Sequence, residues 1–300
     1  MDIHDLAASA THEAFPLPPG AEEGYATTNG VRLHYVAAGE LGRPLVLLLH
    51  GFPEFWYSWR HLIAPLAERF RVVAPDLRGY NLSEKPGGGY DLASLDADVA
   101  GLITAFGAER ADVVAHDWGG VIAWDFAARW PDLPRRLVIL NAPHLALYRR
   151  EVWHPRQLRR SLYSVYFQVP WLPEWTLSRH DYASLRVLWN AVRRVSPEVT
   201  AEDVERYVVA MARPGALSAA LAYYRTLTRR GLGGLAPGRR IEAPTLVLWG
   251  ERDPALGIHL LDGLDRWVAD LHIRRFPDAG HWLALQRPDD VAREVLAFLG

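Results

Sequence analysis

The sequence predicts an α/β protein: a mostly parallel, eight-stranded sheet flanked by helices and interrupted by an inserted helical segment. Three observations carry this. Short apolar runs recur along the chain, clearest at Pro44–Leu49, and a continuous apolar run of that length marks a strand buried on both faces of a parallel sheet. Helix-period segments lie between the runs, and alternating strands and helices build a doubly wound sheet. The alternation lapses between about Pro143 and Ala243, where helical patterns follow one another with few strand signals.

Taken in order, residues 1–20 hold Pro16, Pro18, Pro19 and Gly20 and read as an extended lead-in. Residues 22–38 alternate around Asn29-Gly30, a hairpin dipeptide, with Val31, Leu33 and Tyr35 on one face. After Pro44–Leu49, the segments Arg71–Pro75, Asp112–Ala115, Arg136–Leu140, Pro244–Trp249 and Leu271–Phe276 repeat the buried-strand theme. Helices are predicted at Trp59–Arg69, Leu92–Phe106, Trp118–Trp130 and Pro288–Leu299. Within the interruption the helical stretches are Arg156–Gln168, Ser184–Val195, Thr200–Met211 and Leu217–Arg230. The expected division is a core domain of residues 1–142 and 244–300, with a helical cap, 143–243, inserted after the sixth strand. There is no internal repeat.

Composition narrows the function. Half of the 300 residues are hydrophobic and 23% are charged, which supports a substantial core. A formal charge of −2 and a pI near 6.6 give no electrostatic footing for nucleic acid or an anionic membrane. No apolar run approaches the ~18–20 residues that cross a bilayer. Met1-Asp2-Ile3-His4-Asp5 lacks the basic and apolar regions of a signal peptide, and a cytoplasmic enzyme is expected. With no cysteine, thiolate chemistry and sulfur-based metal sites are excluded. No His-Glu-x-x-His or GxxxxGK[ST] motif is present, and Gly87-Gly88-Gly89 precedes no strand–helix unit, so neither metal nor cofactor is expected.

The most informative residue is Asp117, in Val113-Val114-Ala115-His116-Asp117-Trp118-Gly119-Gly120. An apolar run stops at a polar residue, with Ala115 two before it and Gly119 and Gly120 two and three after. That spacing is a nucleophile elbow, a sharp strand-to-helix turn tolerating only small neighbours. Serine is the usual occupant. A carboxylate there points to attack on an sp3 carbon rather than on an acyl group. The alternative is an ordinary Asp N-cap for the following helix.

Three further motifs stand in order: His50-Gly51-Phe52-Pro53-Glu54 after a core strand, Trp249-Gly250-Glu251-Arg252-Asp253-Pro254 after another, and Gly280-His281-Trp282 near the end. With the elbow and two tyrosines in the inserted segment, the set resembles the α/β-hydrolase superfamily and, within it, the epoxide hydrolases. The resemblance runs from about Glu22 to Gly300 and implies an α/β-hydrolase fold. It implies a small apolar epoxide and water as reactants, and a monomer or homodimer. Asp117 is then the nucleophile, His281 the general base and Asp253 its orienting acid, with Glu251 as near rival. The Phe52 and Trp118 N–H groups form the oxyanion hole, often with a cis peptide before the proline. Tyr163 and Tyr224 are implied as acids on the epoxide oxygen, with Tyr166 and Tyr223 as competitors. His50, Pro53 and Trp282 are expected at the substrate pocket. Ala115 departs from the glycine frequent at that elbow position.

Two other functions remain. A haloalkane dehalogenase shares Asp–Asp–His but needs donors for the halide, and Phe52 offers no side-chain donor. A noncatalytic ligand receptor could use the same scaffold, although every proposed catalytic residue is retained.

Overall fold

The computed structural model describes residues 15–229 and 239–300. Residues 1–14, with most of the predicted lead-in, and 230–238, with the last residue of the predicted helix Leu217–Arg230, lie outside the described residues. Asn29 and Gly30 both take positive φ and close the hairpin between β1 (Glu22–Thr28) and β2 (Val31–Ala38), because such a turn matches the strand twist. The remaining strands are β3 (Leu45–Leu49), β4 (Arg71–Pro75), β5 (Ala111–His116), β6 (Pro134–Leu140), β7 (Thr245–Gly250) and β8 (Leu271–Phe276). Among the described residues they form one sheet in the order β1-β2-β4-β3-β5-β6-β7-β8. β1 and β2 pair antiparallel with each other, and β2 with β4; all other pairings are parallel.

Successive side chains of the central strands feed two cores. Leu47, Val113, Ile139 and Val247 join one with α2 (Leu92–Ala105) and α3 (Trp118–Arg129). Val46, Leu48, Val114, Val138 and Leu248 join the other with α1 (Arg60–Ala67) and the final helix (Pro288–Leu299). Burial on both faces explains the unbroken apolar runs. β8 differs from expectation: it is the sheet edge, and four successive residues, His272–Arg275, are exposed, so both of its faces reach solvent.

Between β6 and β7 the described chain passes through α4 (Leu145–Glu151), α5 (Pro155–Arg160), α6 (Leu162–Tyr166), α7 (Leu172–Arg193), α8 (Ala201–Ala212) and α9 (Ala216–Arg229). The predicted helix Arg156–Gln168 is two helices meeting at Ser161, whose buried hydroxyl takes hydrogen bonds from Tyr148 and Gln157. α7 extends well before the predicted Ser184, with a non-helical break at Arg179–Tyr182. Thr200 and Asp203 form a reciprocal capping box that starts α8. α10 (Leu283–Gln286) and α11 (Pro288–Leu299) complete the described chain. No described helix is long and apolar enough to cross a membrane.

The parallel strands β3, β5, β6, β7 and β8 end at Leu49, His116, Leu140, Gly250 and Phe276. Their carboxyl ends are where an open α/β sheet gathers its reactive side chains. The segments that follow carry His50–Glu54, Asp117, Asn141, Asp253 and His281.

Candidate active site

Asp117 follows β5 at φ 50° and ψ −119°, an unusual backbone for a residue with a Cβ. Close packing holds it there. A Cβ on Gly51 would collide with the Asp117 side chain, and one on Gly119 would collide with the Leu49 carbonyl. Asp117 sits at the N-cap position of α3 but makes no capping hydrogen bond with its side chain. Its Oδ1 instead accepts the Phe52 N–H at 2.8 Å. The peptide between Phe52 and Pro53 is cis. Trp118 opens α3, so its N–H is among those without an intrahelical acceptor.

His281 follows β8 and turns back toward Asp117. Its Nε2 lies 3.6 Å from Asp117 Oδ2, beyond hydrogen-bond range. Its Nδ1 donates to Asp253 Oδ2 at 2.7 Å. Burial alone would lower the His281 pKa, but the carboxylates of Asp253, Asp117 and Glu54 outweigh it and raise it to about 9. Burial pushes the Asp253 carboxyl up, yet His281, the Leu256 N–H and Asn141 hold it below its ordinary value. Asp253 Oδ1 accepts from the Ala255 and Leu256 N–H groups at 2.7 and 2.8 Å. The rival Glu251 is engaged elsewhere, accepting from Arg275 Nε at 2.8 Å.

Three positioning groups were not singled out in the sequence. Asn141, fully buried at φ 39° beyond β6, donates to Asp253 Oδ2 at 2.8 Å and accepts from the Gly250 N–H at 2.8 Å. The available signal was an amide ending an apolar strand, a residue type that tolerates left-handed backbone. Glu54 accepts from the Gly51 N–H at 2.9 Å and pairs with His116 Nδ1 at 2.8 Å, while His116 Nε2 reaches the His281 carbonyl at 2.9 Å. Burial would raise the Glu54 pKa, but His116 and the Gly51 N–H lower it to about 2. Gln157 on α5, fully buried, donates to the Ala255 carbonyl at 2.8 Å and accepts from the Gly257 N–H at 3.2 Å. Arg160 adds a hydrogen bond to the Asp253 carbonyl at 2.5 Å. Nothing in the sequence of α5 announces these long-range contacts.

Asp117 opens onto a cavity of about 90 Å3, continuous with solvent, whose wall includes Tyr163 and Tyr224. The two rings meet edge to face at 6.0 Å. Burial raises both phenol pKa values well above normal, helped by the charge of Asp117 at Tyr163 and by Tyr163 and then Asp117 at Tyr224. Both therefore stay protonated. Their competitors face other partners: Tyr166 hydrogen-bonds Thr176, and Tyr223 donates to the Arg78 carbonyl at 2.7 Å. The Trp118 ring meets that of Tyr224 edge to face at 4.9 Å.

His50, Pro53 and Trp282 do not line this cavity. His50 is fully buried, with Nδ1 donating to the Gly51 carbonyl at 2.9 Å and Nε2 accepting the Leu77 N–H at 3.0 Å; its role is to hold the loop. Pro53 is buried in the turn leading to Glu54. Trp282 packs against His281 and Trp189, with ring centroids at 4.9 and 5.5 Å, and borders a space beside Glu54 and His116.

Residues 44–288 match the family described as alpha/beta hydrolase fold. The chain is 38% identical over 281 residues to epoxide hydrolase 4 of Mus musculus, covering 90% of this chain and 77% of that one. It is 40% identical over 280 residues to the AB hydrolase superfamily protein YfhM of Bacillus subtilis strain 168, covering 92% and 96%. Among solved structures, it resembles the Bacillus megaterium epoxide hydrolase in complex with an inhibitor, at a TM-score of 0.85 and 33% identity over 92% of this chain and 99% of that one.

Proposed function

The chain belongs to the alpha/beta hydrolase fold family, in its epoxide hydrolase branch, and from that premise we propose that it opens an epoxide to a vicinal diol through an ester on Asp117. The observation that carries the mechanism is the aim of the Asp117 carboxylate, turned from its own helix toward Phe52 N–H, with His281 3.6 Å away. The helices of residues 143–243 act as a cap that brings two phenols over the carboxylate.

In the first step an Asp117 oxygen attacks an oxirane carbon and the C–O bond breaks. The electron pair moves to the ring oxygen, which takes a proton from Tyr163 or Tyr224 while the other phenol donates a hydrogen bond. Phenols this resistant to ionisation stay protonated until the alkoxide forms. In the second step water adds to the Asp117 carboxyl carbon as His281 Nε2 takes its proton. The Phe52 and Trp118 N–H groups receive the oxyanion; one such donor typically supplies ~10²–10³ in rate. Collapse expels the second diol oxygen, protonated by His281, and the remaining proton from water restores the tyrosine. Asp253 fixes the imidazole with Nδ1–H toward itself and Nε2 toward water.

A halide-releasing reading is less well supported, because Phe52 has no polar side-chain atom to hold a halide. The test pairs the two chemistries. His281→Phe, exposed to styrene oxide, is expected to gain the substrate's mass on the peptide containing Asp117 and to release no diol. An adduct on another peptide, or halide release from a bromoalkane by an unaltered protein that yields no diol, refutes the proposal.

A further inference from the structure

The wall of the Asp117 cavity is apolar and one-sided. Beyond the catalytic groups it is built from residues such as Val121 of α3, Leu145 and Tyr148 of α4, Leu227 of α9, and Leu256. Its hydroxyls are turned to partners within the protein. Tyr148 donates to Ser161 Oγ at 2.9 Å, Ser164 to the Ser161 carbonyl at 2.7 Å, and Thr228 to the Tyr224 carbonyl at 3.1 Å. Among the described residues, Asp117 is the one charged residue in the wall. An anionic substituent would find no counter-charge among the described wall residues, at a steep desolvation cost, and would face the nucleophile.

On the Phe52 side the two tyrosines are packed by an aromatic ring. Phe167, which follows α6, is 6% exposed and does not line the cavity. Its ring meets Phe52 at 5.7 Å, Tyr163 at 5.6 Å and Tyr224 at 5.0 Å, each edge to face. It thus touches the residues that bound the position of the oxirane. A substituent on one oxirane carbon has the Tyr148 side of the cavity to occupy. A substituent on the other would have to displace Phe167.

Resting on the epoxide hydrolase reading, we infer that the substrates are terminal epoxides carrying a single uncharged, apolar substituent, with Phe167 as the residue that rejects a second. Shape selection of this kind rests on packing, where even one methylene changes kcat/KM by ~10–200-fold.

The experiment measures kcat/KM for phenyl glycidyl ether, trans-stilbene oxide and cis-epoxysuccinate on the unaltered enzyme, Phe167→Ala and Phe167→Leu. The expected order puts the glycidyl ether at least about tenfold above the stilbene oxide, with no detectable turnover of the dianion. Either Phe167 variant that folds is expected to raise the ratio of stilbene oxide to glycidyl ether turnover, the alanine more than the leucine. Similar turnover of both neutral epoxides by the unaltered enzyme overturns this inference and leaves the epoxide hydrolase reading standing. A ratio unmoved in a folded variant removes Phe167 as the selector and overturns it too. No diol from any epoxide overturns both.

Discussion

Asp117 is held in a left-handed backbone region that costs about 1–3 kcal/mol in a non-glycine residue, and the turn keeps its carboxylate off the helix end. His281 shows a second use of context. With its pKa near 9, it rests protonated at neutral pH, beside an ionised nucleophile. Esterification cancels the Asp117 charge, one of the causes of that elevation, so the imidazole becomes a better-populated base only after the first step. The rate of ester hydrolysis in single-turnover experiments is therefore expected to rise with pH and level off, with a midpoint below 9. A midpoint at 9 or higher would contradict this coupling. The tyrosines allow a paired test. Tyr163→Phe and Tyr224→Phe should each lose part of the epoxide-opening rate, and the double variant about 10²–10⁴. Tyr166→Phe/Tyr223→Phe, whose hydroxyls serve Thr176 and Arg78, should retain most of it; the reverse ranking would exchange the assignments.

At the scale of elements, strands were more legible than helices in the inserted segment. The runs at Leu45–Leu49 and Thr245–Gly250 announce themselves because both faces are buried. Asp117 was legible because it ends such a run, whereas Asp253 and His281 were legible only through the motifs around them, Gly250-Glu251-Arg252-Asp253 and Gly280-His281-Trp282. α4 was not, since its seven residues, LALYRRE, span too few turns to show a period. Nor was Gln157, whose partners lie about a hundred positions away in the loop after β7. That loop holds the triad acid, so α5 acts as a clamp on it. Gln157→Leu leaves the Gly257 N–H without its acceptor and is expected to cost about 1–3 kcal/mol of stability. It should slow ester hydrolysis more than ester formation, as Asp253 and then His281 lose their fixed orientation. Burst kinetics separate the two rates, and equal slowing of both would deny the clamp its specific part.

Across the whole molecule, a buried ion pair ties distant parts together. Arg78 donates to both oxygens of Asp98 at 2.7 and 2.6 Å, and both residues are buried. Asn29 of the β1–β2 turn joins Asp98 at 3.1 Å, and Tyr223 of α9 donates to the Arg78 carbonyl. Arg78→Met strands a buried carboxylate and should destabilise by about 3–5 kcal/mol in denaturant unfolding, with much of that restored in Arg78→Met/Asp98→Leu. A loss below about 1 kcal/mol in the single variant would show the pair to be dispensable. The cavity wall is organised on a different principle. Its attacking and proton-taking groups come from segments beyond β5 and β8, while most of its apolar wall comes from α4, α9 and the loop at Leu256. Variation can therefore be directed separately at the two. A library spread over Leu145, Tyr148, Leu227 and Leu256 would search for new specificities while the reactive groups stay fixed, whereas one that included Gly51 or Gly119 would spend most of its members on backbones that cannot close around Asp117.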